Sequence, residues 1–361
     1  MKVAIYTIAL NEEKHVRRWF ESTKEADYHV IADTGSSDKT VEIAKELGIQ
    51  VYTISVKPWR FDDARNASLA LVPADANYCI AMDMDEIMRP GWRAELEKAY
   101  AEGIDKPRYN FVTDFNPDGT PKASFLGFRI HTRQNVRWIY PIHEVPTGYY
   151  RDKEETSKEY NIESWHLPDG EKSRGNYLPM LEKAAAEDPC ARNLYYLGRE
   201  YFYRNKYEES TTTLKKYLEV SIFPAEKSYA YRILSKTDPA NAEEYLITAT
   251  EVYQSRESIL ALANYYYHQK QWAECNKVAK IGLEQTVRTT EFLSEDWAWS
   301  HMAEDLIAIS AWNLGKWQEA YKYGVKALEI TPTDERLQTN VKFYKEKLDG
   351  NIRPTGGRGK K

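Results

Sequence analysis

Three carboxylates within four positions, Asp83, Asp85 and Glu86, follow the apolar run Tyr78-Cys79-Ile80-Ala81-Met82. The run has the length of a buried strand that ends in a turn. Acidic residues just past the carboxyl end of a central strand stand where open α/β sheets bind ligands. Hard oxygen ligands there suit Mg2+ or Mn2+ bound together with a phosphorylated substrate. By itself Asp-x-Asp is a weak signal, and the three acids Asp83, Asp85 and Glu86 are equally a solvated strand end, so their meaning depends on what the chain places beside them.

The elements that would position it are legible on both sides. Residues 2–10 read as a first buried strand. Asn11 then reads as the N-cap of a helix reaching to about residue 25, with Glu12 and Glu13 in its first turn, where acidic groups suit the helix dipole. Residues 28–32 form a second strand ending in Asp33-Thr34-Gly35-Ser36-Ser37-Asp38. Gly35 permits a tight turn, and Ser37 or Asp38 caps a helix over 40–47. Residues 50–56 supply a third strand and 78–82 a fourth. Strands alternating with helices through short loops predict a parallel, right-handed α/β sheet. Beyond Pro90-Gly91 the pattern changes to a helix over 92–101 and strands over 109–112, 123–130 and 136–139, with Asn116-Pro117-Asp118-Gly119 as a hairpin turn.

Four stretches in this order resemble the family 2 nucleotide-sugar glycosyltransferases, whose fold is called GT-A. They are Thr7-Ile8-Ala9-Leu10-Asn11-Glu12, Asp33-Thr34-Gly35-Ser36-Ser37-Asp38-Lys39-Thr40, Phe61-Asp62-Asp63-Ala64-Arg65-Asn66, and Asp83-Met84-Asp85-Glu86. The resemblance covers residues 1–175 and is strongest before residue 90. It implies a Rossmann-like domain with a mixed sheet that binds a nucleoside-diphosphate sugar. Thr7, Ala9, Asn11 and Glu12 would line the donor site, Asp33 would accept from the base or ribose, and Arg65 would lie against the base. Asp83 would take the ribose or a metal-bound water, with Met84 counted in the same site. Asp85 would ligate the Mn2+ or Mg2+ that bridges the diphosphate. A late histidine, His166, would complete the metal site, and Lys172 or Arg174 would clamp the diphosphate.

Arg137-Trp138-Ile139-Tyr140-Pro141-Ile142-His143-Glu144 is similar to the stretch where such enzymes carry an aromatic platform and a catalytic carboxylate. The base is expected at Glu144, then His143 or Asp114. The Gln-x-x-Arg-Trp signature of processive synthases is absent. Each residue also has a purely structural reading. Asp33 and Asp38 suit turns and caps, Arg65 can pair with Asp62 or Asp63, Glu144 with Arg137 or Arg129, and His166 can be a packing residue.

The second half is helical and repetitive. Leu194-Tyr195-Tyr196-Leu197-Gly198 followed by Lys206-Tyr207 matches the tetratricopeptide (TPR) pattern, and the best later copy spans 306–332, with weaker copies over 238–253 and 258–283. Ser210, Ala242, Cys275 and Ala320 fall 32, 33 and 45 residues apart, near the period of about 34 until an insertion at 286–297. The aromatic residues here are read as repeat core. Stacked helix pairs present a concave face, expected to recognise the acceptor, mediate self-association, or both.

Length and composition fit this plan: 361 residues, 42% hydrophobic and 29% charged, give a GT-A domain over 1–175, TPR-like repeats over 176–350 and a basic, disordered tail over 351–361. A net charge of -5 argues against general nucleic-acid binding. Cys79, Cys190 and Cys275 are too dispersed for a zinc or disulfide framework. Neither a signal peptide nor a membrane span is recognised, so a soluble, cytoplasmic protein is expected. The commitment is an inverting, metal-dependent transferase moving a hexosyl or pentosyl group to a peptide, protein, glycan or modified DNA. The alternatives are a nucleotidyltransferase, disfavoured by Ala9-Leu10-Asn11-Glu12 in place of a glycine-rich loop, and a non-catalytic TPR scaffold.

Overall fold

The computed structural model describes residues 1–148, 155–168, 170, 177–288 and 293–350. Lys172, Arg174 and the tail from residue 351 lie outside the described residues. Among those described, the chain divides into two compact units, Met1–Asp188 and residues 189–350.

In the first unit β1 (Val3–Ala9), α1 (Val16–Thr23), β2 (Tyr28–Asp33), α2 (Thr40–Glu46), β3 (Gln50–Thr53), α3 (Phe61–Ala70) and β4 (Tyr78–Ala81) alternate as the apolar pattern implies. There follow β5 (Glu86–Met88), α4 (Trp92–Ala101), β6 (Lys106–Phe115), β7 (Pro121–Gly127), β8 (Ile130–Thr132), β9 (Val136–Ile139), β10 (Val145–Gly148), β11 (Ser157–His166) and α5 (Leu178–Glu187). The central sheet runs β3-β2-β1-β4-β8, parallel throughout except for β8, which lies antiparallel to β4. A second sheet runs β5-β11-β6-β7, and β9 pairs with β10.

The central strands are apolar on both faces because both faces are covered. Val3 and Ile5 of β1 pack with Trp19, Ile31, Ile80 and Leu96, while Ala4 and Tyr6, pointing the other way, pack with Val30, Leu69, Cys79 and Trp138. This arrangement brings the carboxyl ends of β1, β2 and β4 to one edge.

Four readings change. Asn11 does not cap a helix: α1 begins at Val16, and Asn11 sits at φ 55 with its side-chain oxygen accepting from the Ser37 amide at 2.8 Å. The Asn side chain tolerates the left-handed region, and here it ties the first loop to the second. The strand expected over 123–130 is two strands in different sheets. Gly127 lies so close to the Tyr109 ring that a Cβ there would come within 2.4 Å of it, and the chain then crosses to pair with β4. β11 was not expected as a strand, although Tyr160, Ile162 and Ser164 alternate inward along it. Glu86 is not a solvated strand end: it lies on β5 and is 2% exposed.

The second unit pairs α6 (Ala191–Tyr203) with α7 (Tyr207–Val220), α8 (Pro224–Thr237) with α9 (Ala242–Val252), α10 (Arg256–His268) with α11 (Trp272–Glu284) and α12 (Met302–Asn313) with α13 (Trp317–Ile330), followed by α14 (Glu335–Leu348). Small residues stand where helices cross. A Cβ on Gly198 of α6 would meet Leu214 of α7 at 2.6 Å, and Ser210, Cys275, Ala320 and Ala327 are fully buried. Ser255 and Ser258 form a capping box at the start of α10.

Candidate functional site

The site lies along the edge where β1, β2 and β4 end, and it contains two differently built corners. At the first, Arg65 of α3 is 2% exposed and bridges two acids: Nε donates to Glu144 Oε1 at 3.1 Å and Nη2 to Asp83 Oδ1 at 2.5 Å. Arg129 joins from the other side, donating to Asp83 Oδ2 at 2.7 Å and Glu86 Oε1 at 3.1 Å. The result is a continuous row, Glu144–Arg65–Asp83–Arg129–Glu86. Burial opposes ionisation of Asp83, but the two guanidiniums hold its carboxyl well below the usual carboxylate range. Glu86 goes the other way. Burial, reinforced by Asp83 and Asp85, pushes it up to about 8 against the pull of Arg129.

Behind this row a hydrogen-bond chain runs through the core. Trp138 Nε1 donates to Tyr6 Oη at 2.7 Å, and Tyr6 Oη lies 2.8 Å from His131 Nε2. His131 Nδ1 lies 2.8 Å from the Thr132 carbonyl, which can only accept. The imidazole is therefore protonated on Nδ1 and accepts from Tyr6 on Nε2. Burial lowers its pKa to about 4. Trp138 is also clasped by Asn66, which accepts from its amide at 2.8 Å and donates to its carbonyl at 2.9 Å. The indole carries the Arg65 guanidinium 5.5 Å from its ring centroid.

At the second corner His166 Nε2 lies 3.2 Å from Asp85 Oδ2, with the two side chains 31% and 30% exposed. The Leu167 amide donates to the Asp85 carbonyl at 2.7 Å, and Phe111 stacks on the His166 ring. The hydrogen bond to Asp85 raises the His166 pKa against the opposing effect of burial. No group of three His, Cys, Asp or Glu side chains close enough to hold a metal occurs among the described residues. An oxygen and an imidazole nitrogen on a half-open corner suit a divalent ion of Mn2+ type, with the remaining positions left to substrate and water.

The other expected residues fall as follows. Asp33, 4% exposed at the end of β2, accepts from the Gly35 and Ser36 amides at 3.1 and 3.2 Å, so it builds its own turn at the site's edge. Thr7 and Ala9 are buried in β1; the Thr7 carbonyl accepts from Ser68 and the Ala9 carbonyl from Thr34. Glu12 donates its amide to Thr40 Oγ1 at 2.6 Å, and Asp38 accepts from the Thr40 and Glu13 amides. The Met84 side chain is packed in the core, so only its main chain is left for a donor. His143 is exposed at φ 55, one residue before Glu144. Asp114 stands apart from the row, 51% exposed in a surface pair with Lys122 at 2.8 Å.

Arg65 pairs with neither Asp62 nor Asp63; Asp62 is taken by Arg60 at 2.9 Å. Glu144 forms its ion pair with Arg65, at 3.1 Å. Arg129 was missed as a site residue. Its signal was a basic residue just before the strand that returns to β4.

The chain is similar to known proteins of two kinds. Residues 4–152, all within the first unit, match the family described as glycosyl transferase family 2. An uncharacterised glycosyltransferase of Rickettsia bellii is 32% identical over 101 residues, 28% of this chain and 33% of that protein. A TPR repeat-containing protein of Synechococcus elongatus is 23% identical over 172 residues, 46% of this chain and 41% of that protein. The chain thus spans less than half the length of either of these curated relatives. Among solved structures, glucosyl-3-phosphoglycerate synthase from Mycobacterium tuberculosis in complex with Mn2+, uridine diphosphate and phosphoglyceric acid aligns at 23% identity with a TM-score of 0.27, covering 30% of this chain and 43% of that one. No helix among the described residues is long and apolar enough to cross a membrane.

Proposed function

We propose that this chain is a glycosyltransferase that moves a sugar from a nucleoside diphosphate to an acceptor nucleophile, with inversion at the anomeric carbon. The observation that carries the reading is the gathering of Asp33, Arg65, Asp83 and the Asp85–His166 pair along one edge of the unit that matches family 2, at the carboxyl ends of parallel strands. Arg65 Nη1 is buried without a protein acceptor, which suits a carbonyl or hydroxyl of the nucleotide. Asp33 stands at the end of β2, opposite Ala9 at the end of β1.

Asp85 and His166 would hold the divalent ion, which when bound neutralises charge on the departing diphosphate. In transfer, the acceptor oxygen forms a bond to the anomeric carbon while the carbon–oxygen bond to the diphosphate breaks and its electron pair leaves with the phosphate. Glu144 takes the acceptor's proton, oriented for this by Arg65. Asp114, engaged with Lys122, is set aside as the base. The repeats of the second unit are read as the acceptor-recognising or self-associating part.

The test is a panel of nucleotide sugars incubated with purified protein and Mn2+, following release of the nucleoside diphosphate. Slow hydrolysis of at least one donor, abolished by chelator, is expected. Absence of both hydrolysis and thermal stabilisation across the panel would remove the catalytic reading and leave the scaffold. Activity undiminished in chelator would remove the metal.

A further inference from the structure

Arg18 belongs to none of the stretches that carry the resemblance, yet α1 places it against the Asp85–His166 corner. Its Nη2 donates to the Leu167 carbonyl at 3.3 Å and to His15 Nδ1 at 3.0 Å. Leu167 is the residue after His166, and its amide donates to the Asp85 carbonyl at 2.7 Å. The guanidinium is therefore tied through Leu167 to the main chain of both Asp85 and His166. Nε is buried without an acceptor, and no carboxylate among the described residues forms an ion pair with Arg18. Arg65 and Arg129 show another solution in this protein, a buried and a part-buried guanidinium each meeting two acidic side chains. A part-buried guanidinium with only neutral acceptors is costly unless an anion completes it.

We propose that Arg18 is a phosphate-binding residue: it receives an oxygen of the donor's diphosphate and offsets the charge that develops as the sugar departs. This role rests on the glycosyltransferase reading above and adds a residue to it. A guanidinium fork suits phosphate oxygens, and a charge-assisted bond at this position strengthens as the leaving group gains charge. The competing account is structural, with Arg18 serving only to pin the Leu167 carbonyl.

The two accounts separate by calorimetry in manganese buffer with five pairs: UDP and uridine, GDP and guanosine, ADP and adenosine, CDP and cytidine, TDP and thymidine. Arg18→Gln removes the charge and keeps an N–H donor for Leu167. With whichever diphosphate the wild type binds, the variant is expected to lose about 10- to 100-fold in affinity, the weight of a hydrogen bond to a charged group. Affinity for the matching nucleoside should stay within about twofold, because that contact lies elsewhere. Equal losses for both, or none for the diphosphate, would overturn the phosphate role while leaving the glycosyltransferase reading standing. A wild type that binds none of the five diphosphates would overturn both. Should Arg18→Gln not fold, Arg18→Lys serves in its place: retained charge without the fork should weaken the diphosphate alone, and unchanged diphosphate affinity would again overturn the role.

Discussion

Asp83 and Asp85 are two residues apart on one turn, yet the molecule treats them in opposite ways. Asp83 is gripped by Arg65 and Arg129, each making an ion pair with a further acid. Among the described residues the side chain paired with Asp85 is His166, and both stand nearly one-third exposed. The same residue type thus serves as the keystone of a charge row at one corner and stands open beside an imidazole at the other. The number of fixed counter-charges makes the difference, since the Asp83 and Asp85 side chains are 33% and 30% exposed. A carboxylate with both oxygens committed has little left to exchange for a ligand, whereas one facing solvent and an imidazole can take a metal at low reorganisation cost.

The largest effect on stability should come from breaking the first corner. Arg65→Met leaves Glu144 without its hydrogen-bonded partner and Asp83 with Arg129 alone. Removing one member of a buried ion pair costs about 3–5 kcal/mol, and Asp83's partial exposure sets the expectation near the lower end, about 3 kcal/mol. Urea denaturation of wild type and variant measures it. A loss below about 1 kcal/mol would mean that solvent, not Arg65, satisfies Asp83.

The core behind that corner predicts an acid sensitivity. His131 is neutral when folded, its pKa lowered from 6.5 to about 4 chiefly by burial. Above pH 6.5 neither state protonates it and it adds no pH dependence. As pH falls from 6.5 toward 4 the unfolded chain binds the proton first, so stability drops, and the loss levels off below about 4. The full effect is about 3 kcal/mol. Denaturation from pH 7 to pH 4 should show a drop in wild type that is reduced by this amount in His131→Gln. Parallel pH curves for the two proteins would show that His131 is hydrated or already protonated in the fold.

How far the sequence carried depended on the range of the interactions. The strand-helix alternation up to β4 was legible because each element announces itself by local periodicity. The Asp85–His166 meeting was reached through the resemblance and not through spacing, since 81 residues separate the two. Arg65's partners were not legible: Asp62 and Asp63 are near in sequence, while Asp83 and Glu144 are near only after β4 and the β9–β10 hairpin are in place. Asn11 was misread for a related reason. A side chain able to cap a helix is also able to tie two loops together, and the choice is made by Ser37, 26 residues away. α8 escaped notice because its apolar pattern, with Ala225, Ala230, Ile233 and Leu234 inward, lacks the Leu-Gly mark that flags α6.

The smallest effect on stability, joined to the largest effect on chemistry, is expected at Asp85. A pair exposed as Asp85 and His166 are contributes about 0–1 kcal/mol, so Asp85→Asn should leave the melting temperature nearly unchanged. Nucleotide-sugar turnover in Mn2+ should fall by about 100-fold or more, the scale seen when a group stabilising transition-state charge is removed. A pH signature accompanies it. His166 has a raised folded pKa, so its contribution is present below the unfolded value of 6.5 and fades as pH rises through the folded one; the variant should lose that slope, opposite in sign to His131's. Asp83→Asn is the matched control, two residues away: it strips two guanidiniums of a shared counter-charge and should lower stability clearly. If both substitutions destabilise alike, the corners are one structural network and Asp85 is not a ligand. If Asp85→Asn keeps full turnover at unchanged stability, the open corner is decoration on a site whose chemistry lies with Arg65 and Glu144.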